Sequence, residues 1–170
     1  MAKERVTRVR HRVEIPTGIE AVLQASERSI CLPYELTIVE IDSILTAIKC
    51  VAGTSNIAVE LSKSGERKTI DSPSPFDVME FVCTTVYQLP TALCSLVHEP
   101  SNSRLIWDDD ERFAVIAGSR VFCEAAFPHS YAVLEYYYVQ STINEFEDEQ
   151  ALRECFAILT ADRSGTVGAG

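Results

Sequence analysis

The sequence predicts an α+β fold: a mostly antiparallel sheet of about five to six strands, with two N-terminal, two middle and one C-terminal helix packed on it. A length of 170 residues with 46% hydrophobic residues suffices for one domain with a substantial core. The run FAVIAG at 113–118 is apolar at almost every position, which is typical of a strand covered on both faces. Short strands separated by turn residues favour antiparallel neighbours.

Two helices are predicted at the start of the chain. Thr17 and Glu20 form a T-x-x-E capping box, and a helix over about 18–29 follows it. Apolar residues spaced three and four apart predict a second helix over 36–50. The segment LTIVEI at 36–41 is also compatible with a strand.

The middle of the chain predicts two pairs of strands around a helix. Residues 57–61 alternate as a half-buried strand, and 67–70 return after a turn at Lys63-Ser64-Gly65. Ser74 and Pro75 mark a helix start, and that helix runs to about Leu89. Its predicted core face carries Phe76, Met79, Val82, Cys83 and Val86. Strands over 92–98 and 104–107 follow, joined by a loop.

A strand, a short helix and a second strand form the predicted centre of the fold. Ser119 caps a helix that Pro128 ends, and the aromatic and β-branched run at 131–139 predicts a long strand. On such a strand Tyr136 and Tyr138 share one face and Tyr137 takes the other. The intervening helix also allows a parallel crossover between the two strands.

A last helix is predicted over about 145–160, and it completes a single domain that spans 1–160. The tail at 161–170 is small and rich in glycine, so we expect it to be flexible.

The charge distribution favours a protein partner over nucleic acid. The net charge is −10, although the first twelve residues carry five basic side chains against one glutamate. An acidic body repels nucleic acid and steers basic proteins toward it. The basic arm alternates with Val9, Val13 and Ile15, so it also fits an edge strand.

Cysteine spacing and hydropathy predict a cytoplasmic protein that does not enter a membrane. Six scattered cysteines without a CxxC pair favour reduced thiols over a zinc site or a disulfide framework. No apolar run is long enough to span a bilayer, and the N-terminal residues lack a secretory signal.

The sequence carries no recognisable catalytic motif. It lacks a phosphate-binding loop, a dinucleotide-binding glycine set, a nucleophile elbow and an H-E-x-x-H zinc motif, so we expect no cofactor and no metal. The alternative is a small enzyme whose site is assembled in space from His98, Asp110, Glu124 and His129. His98 and Glu99 are adjacent, so on a strand they would point to opposite faces.

The sequence therefore predicts a non-catalytic module that neutralises a basic protein partner. The candidate contact residues are acidic side chains and two aromatic anchors: Trp107, Asp108, Asp109, Asp110, Glu111, Tyr137, Glu147 and Glu149. Trp107 is alternatively a core residue at a strand end, and the four carboxylates at 108–111 are alternatively a solvated turn or a cation site. In size and charge the chain resembles the small acidic immunity proteins and antitoxins that block bacterial toxins. An effector-escort chaperone and a homodimer are related alternatives.

Overall fold

A computed structural model describes residue 15 and residues 17–33, 35–63, 66–86, 93–108, 113–143 and 148–163. These residues form an α+β fold, as predicted, with one sheet of seven strands and six α-helices. The elements are α1 Thr17–Gln24, β1 Arg28–Pro33, α2 Ile38–Ala52, β2 Ala58–Lys63, β3 Glu66–Asp71, α3 Pro75–Val86, β4 Leu93–His98, a 3-10 turn Glu99–Ser101, β5 Ser103–Asp108, β6 Phe113–Gly118, α4 Arg120–Ala126, α5 Tyr131–Thr142, α6 Glu149–Leu159 and β7 Ala161–Asp162.

The strands follow the order β3-β2-β4-β5-β6-β1-β7, and each pair of neighbours in the described part is antiparallel. The register aligns one row of fully buried aliphatic side chains across five strands: Leu61, Leu96, Leu105, Ile116 and Ile30. Burying such a row contributes about 25 cal/mol per Å² of apolar area removed from water. The hydrophobic row therefore fixes the register of the sheet, because a slip by one residue would turn it to the other face.

Helices cover both faces of the sheet. Phe122 of α4 lies against Gly118, on the face that carries Ile116, and α2 packs against α3 and α4. Side chains alternate along β1, so Cys31 points to the other face, where Tyr138 of α5 and Cys155 of α6 meet it. The sheet is therefore a middle layer, and β6 is buried at all six positions, as its sequence predicts.

The prediction of a strand over 131–139 is wrong, because these residues form the helix α5. Its buried positions are Leu134, Tyr138, Val139 and Thr142, a spacing that belongs to a helix. Strand propensity mainly measures how well a side chain packs in its surroundings, and here the packing partners lie on the strand β1 and the helix α6. The parallel crossover and the shared face of Tyr136 and Tyr138 are wrong for the same reason.

Two smaller predictions differ from the structure. The first helix ends at Gln24, and residues 28–33 form the strand β1, which the sequence interpretation missed. Phe76 is 68% exposed, whereas Val78 of the same helix is fully buried, so the predicted core face of α3 is rotated. The helix over 36–50 is confirmed against its strand alternative, and it extends to Ala52.

Several predictions fall outside the described residues. They are the basic arm within 1–14, the hairpin tip at 64–65, the acidic residues 109–111 and Glu147. Of the predicted tail, Ala161–Asp162 pair with β1 as the strand β7, and 164–170 lie outside the described part.

Candidate functional site

The outer side of α5 presents apolar side chains to solvent. Val133, Tyr136 and Tyr137 are three and four residues apart, so they share one side of the helix. Their exposed fractions are 53%, 65% and 42%. We call these three residues the α5 stripe. Exposed aromatic residues of this kind are enriched where proteins bind one another.

Buried contacts hold α5 in place behind this stripe. The Tyr138 hydroxyl donates a hydrogen bond to Cys155 Sγ at 3.5 Å, and its ring stacks on Phe156 with centroids 5.9 Å apart. Thr142 Oγ1 donates to the Tyr138 carbonyl at 2.7 Å. The α5 stripe is therefore carried on a fixed helix, so it loses little conformational freedom when it is covered.

Glu40 connects the α5 stripe to the first turn of α2. Tyr137 Oη donates to Glu40 Oε1 at 2.8 Å, while Glu40 Oε2 accepts the Thr37 N–H at 2.6 Å in a capping box. Partial burial, together with the Glu40 carboxylate, raises the pKa of Tyr137 to about 12. Val39, beside Glu40 in the chain, is 74% exposed.

Carboxylates dominate the charge on α5 and α6. Arg153 Nη1 lies 3.2 Å from Glu135 Oε1, and its Nη2 lies 2.6 Å from Glu149 Oε1. Asp148 caps α6 by accepting two backbone N–H groups, and Glu154 is exposed on the same helix. Four carboxylates thus accompany one arginine on and beside these two helices, and Arg153 pairs with two of them.

The structure does not gather the predicted contact residues into one described surface. Tyr137 and Glu149 are exposed, whereas Asp108 is buried at the end of β5. Trp107 is 6% exposed and lies between Cys94 and Ala114 in the sheet, which agrees with its alternative as a core residue. The other members lie outside the described residues, and the partner-binding roles stay predictions.

Sequence reasoning missed Glu40 and Val133 as surface partners of Tyr137, and it placed Tyr136 on the opposite face together with Tyr138. The T-x-x-E pattern at 37–40 was a readable signal for Glu40, since the same pattern had been recognised at 17–20. The α5 stripe was hidden by the assignment of a strand, because a period of two separates residues that a helix brings together.

His98 lies at a second feature, an open cavity of about 580 Å³ between the end of α2 and the end of β4. His98 Nδ1 and Ser101 Oγ are 2.6 Å apart, and Ser101 Oγ lies 2.8 Å from Ser103 Oγ. Burial lowers the pKa of His98, which favours the neutral imidazole.

The other members of the alternative catalytic set have different surroundings. Glu124 Oε1 contacts Arg120 Nε at 2.7 Å and Arg28 Nη1 at 2.8 Å, and these arginines lower its pKa. His129 is exposed in the loop before α5, and neither residue lines the cavity that His98 lines. Asp110 lies outside the described residues. The described geometry therefore assembles no acid and base pair from this set.

Most of the cysteine side chains that the structure describes are buried. The side chains of Cys31, Cys94, Cys123 and Cys155 are buried, and burial raises the pKa of Cys123 to about 12. Cys50 is free and exposed. Among the described residues, no three His, Cys, Asp or Glu side chains are grouped as metal ligands.

None of the helices described combines the length and apolar character required to cross a bilayer.

Comparison with known proteins gives no functional assignment. No protein-family model, curated protein or solved structure matches this chain.

Proposed function

We propose that this protein is a non-catalytic binding module that neutralises a basic protein partner, in the manner of immunity proteins and antitoxins. The observation that carries the proposal is the α5 stripe, an exposed aromatic surface hydrogen-bonded to Glu40 and accompanied by carboxylates. Tyrosine anchors supply much of the binding energy in such interfaces, and charges mainly accelerate association.

The division of labour between the two tyrosines follows from their surroundings. Tyr136 is 65% exposed, so it gains the larger apolar burial when a partner covers it. Tyr137 is already bonded to Glu40 at 2.8 Å, which holds its ring in one orientation before binding. We expect Tyr136 to act as the anchor, and the Tyr137–Glu40 pair to act as an ordered, negatively charged rim.

The first test compares partner capture by matched variants in lysate of the native host. We expect Tyr136→Ala to lose a basic protein that the wild type retains. Phe76→Ala removes an equally exposed aromatic residue from α3 and should retain that protein. Equal capture by both variants, or capture of acidic proteins only, contradicts the proposal.

The second test measures affinity and rate with the purified partner. Loss of a hot-spot tyrosine should weaken binding by at least about 30-fold, mainly through faster dissociation. Glu40→Gln should instead slow association and reduce its dependence on salt. An unchanged salt dependence would show that Glu40 does not contribute to the interface. An unchanged affinity for Tyr136→Ala would show that the α5 stripe is not the binding surface.

A further inference from the structure

The cavity beside His98 has the size and walls of a small-molecule site. Its volume of about 580 Å³ lies inside the range of about 300–1,000 Å³ that ligand pockets occupy. Val51, Ile57, Val97 and Pro100 supply apolar walls, and polar groups converge from the 3-10 turn. An apolar body with one polar group fits such a lining.

The 3-10 turn that forms one wall is held in a defined shape. Asn102 follows it in the left-handed region with φ of 48°, and its N–H donates to the Glu99 carbonyl at 3.0 Å. Ser101 connects His98 and Ser103 below this turn. Nδ1 is thereby engaged, whereas Nε2 of His98 has no hydrogen bond within the described residues. A ligand in the cavity can use Nε2.

The charges of the lining residues determine whether a cationic or an anionic ligand is favoured. No lysine or arginine is among the described residues that line the cavity, whereas the acidic residue Glu99 is one of them. Arg104 Nη2 approaches Glu99 only to 3.8 Å, and the Glu99 side chain remains 76% exposed. The lining also includes Val51 and Ala52 in the last turn of α2, the negative end of the helix dipole.

We propose that this cavity binds a primary ammonium group carried on a small apolar body. The ammonium donates hydrogen bonds to the Glu99 carboxylate and to Nε2 of neutral His98, in the tautomer in which Nδ1–H donates to Ser101 Oγ. The apolar body covers Val51, Ile57 and Val97. This site is separate from the α5 stripe: Glu40 and Ala52 are twelve residues apart on α2, roughly 18 Å at the helix rise.

The test titrates ¹⁵N-labelled protein with 2-phenylethylammonium, 2-phenylethanol and 3-phenylpropanoate, followed by amide chemical shifts. We expect the cation to shift residues 51–58 and 97–101 and to bind about two- to fivefold more tightly than the alcohol, as suits one exposed ion pair. The anion should bind most weakly. Equal binding of all three probes, or no shift with the cation at millimolar concentrations, overturns the proposal.

Variants separate the charge from the shape of the cavity. Glu99→Gln should reduce cation binding about two- to fivefold, and Arg104→Gln should increase it, because the competing guanidinium is removed. Glu20→Gln, an exposed carboxylate on α1, is the matched control and should have no effect. Ala52→Leu should fill the cavity and abolish binding of the cation and the alcohol alike. Unchanged cation affinity in Glu99→Gln or Ala52→Leu overturns the assignment.

Discussion

Gly118 lies where a strand and a turn meet so closely that a single methyl group should destabilise the fold. A Cβ at Gly118 would stand 2.9 Å from the Asn102 carbonyl oxygen, 3.0 Å from Phe122 Cδ1 and 3.3 Å from Ser103 Cα. Two of these atoms belong to the backbone, and the Asn102 N–H is tied to the Glu99 carbonyl, so the turn cannot simply move away. Overpacking of this kind costs about 1–3 kcal/mol.

The expected net effect of Gly118→Ala is a decrease of up to about 2.5 kcal/mol in the free energy of unfolding. Replacing glycine by alanine at an unstrained position stabilises by about 0.4–1 kcal/mol through the unfolded state, and this gain offsets part of the overpacking. For a chain of this size, each kcal/mol shifts Tm by about 2–4 °C. Gly118→Ala should therefore lower Tm by up to about 10 °C in a thermal melt followed by circular dichroism.

Gly18 and Gly53 supply the controls for this experiment. A Cβ at Gly18 meets no described atom within 4 Å, so Gly18→Ala in α1 should raise Tm slightly. Gly53 has φ of 67°, so Gly53→Ala should lose about 1–2 kcal/mol through backbone strain instead of contact. If Gly118→Ala melts at or above the temperature of Gly18→Ala, the close approach of β6 to the turn is refuted.

Three further predictions concern buried polar groups. Lys63 is 1% exposed, and its Nζ has no hydrogen-bond partner in the described part. Lys63→Met should therefore stabilise the protein by about 1–3 kcal/mol in urea denaturation. A loss of stability would reveal an ion pair with a residue outside that part. Thr160→Ala removes the Oγ1 that accepts the Cys31 N–H at 2.9 Å, so the free energy of unfolding should fall by about 1–2 kcal/mol in the same assay. An unchanged midpoint would show that water replaces the hydrogen bond. Burial raises the pKa of Cys123 from 9.0 to about 12, so the unfolded thiol ionises first and the stability present below pH 9 is lost between pH 9 and 12. Cys123→Ala should flatten this decline in denaturation curves measured at successive pH values, and an equally steep decline would exclude the thiol as its source.

The sequence predicted correctly those features whose stabilising contacts lie within a few residues of each other. The six apolar residues of β6 predicted a buried central strand, and the Ser119 cap is confirmed by the Phe122 N–H that its Oγ accepts at 3.1 Å. The start of α3 was equally readable, since Ser74 and Asp77 bond each other reciprocally. Each of these features is satisfied by neighbours in sequence, so one sequence contains the necessary information.

The features that could not be predicted from the sequence depend on contacts between segments that are separated along the chain. The run at 131–139 is apolar or aromatic at every position except Glu135, so it carries no clear period that separates helix from strand. Its outcome depends on Tyr138 packing with Cys155 and Phe156, which are far along the chain. The site shows the same limit: Tyr137 was identified as a candidate, but its partner Glu40 lies 97 residues earlier.

The outer margin of β1 is occupied by the chain's own residues 160–163. Ala161 and Asp162 pair with Ser29 and Arg28, Thr160 accepts from Cys31, and the Arg163 N–H donates to the Glu27 carbonyl at 2.6 Å. At the opposite margin, β3 exposes a row of charged side chains at 66–68, which discourages a further strand from joining. An extended peptide thus finds part of the β1 edge already paired, and at the β3 edge it meets charged side chains. Lengthening of the sheet into a fibre, or capture of a partner by added strands, is disfavoured, and the surfaces left for association are those of the helices.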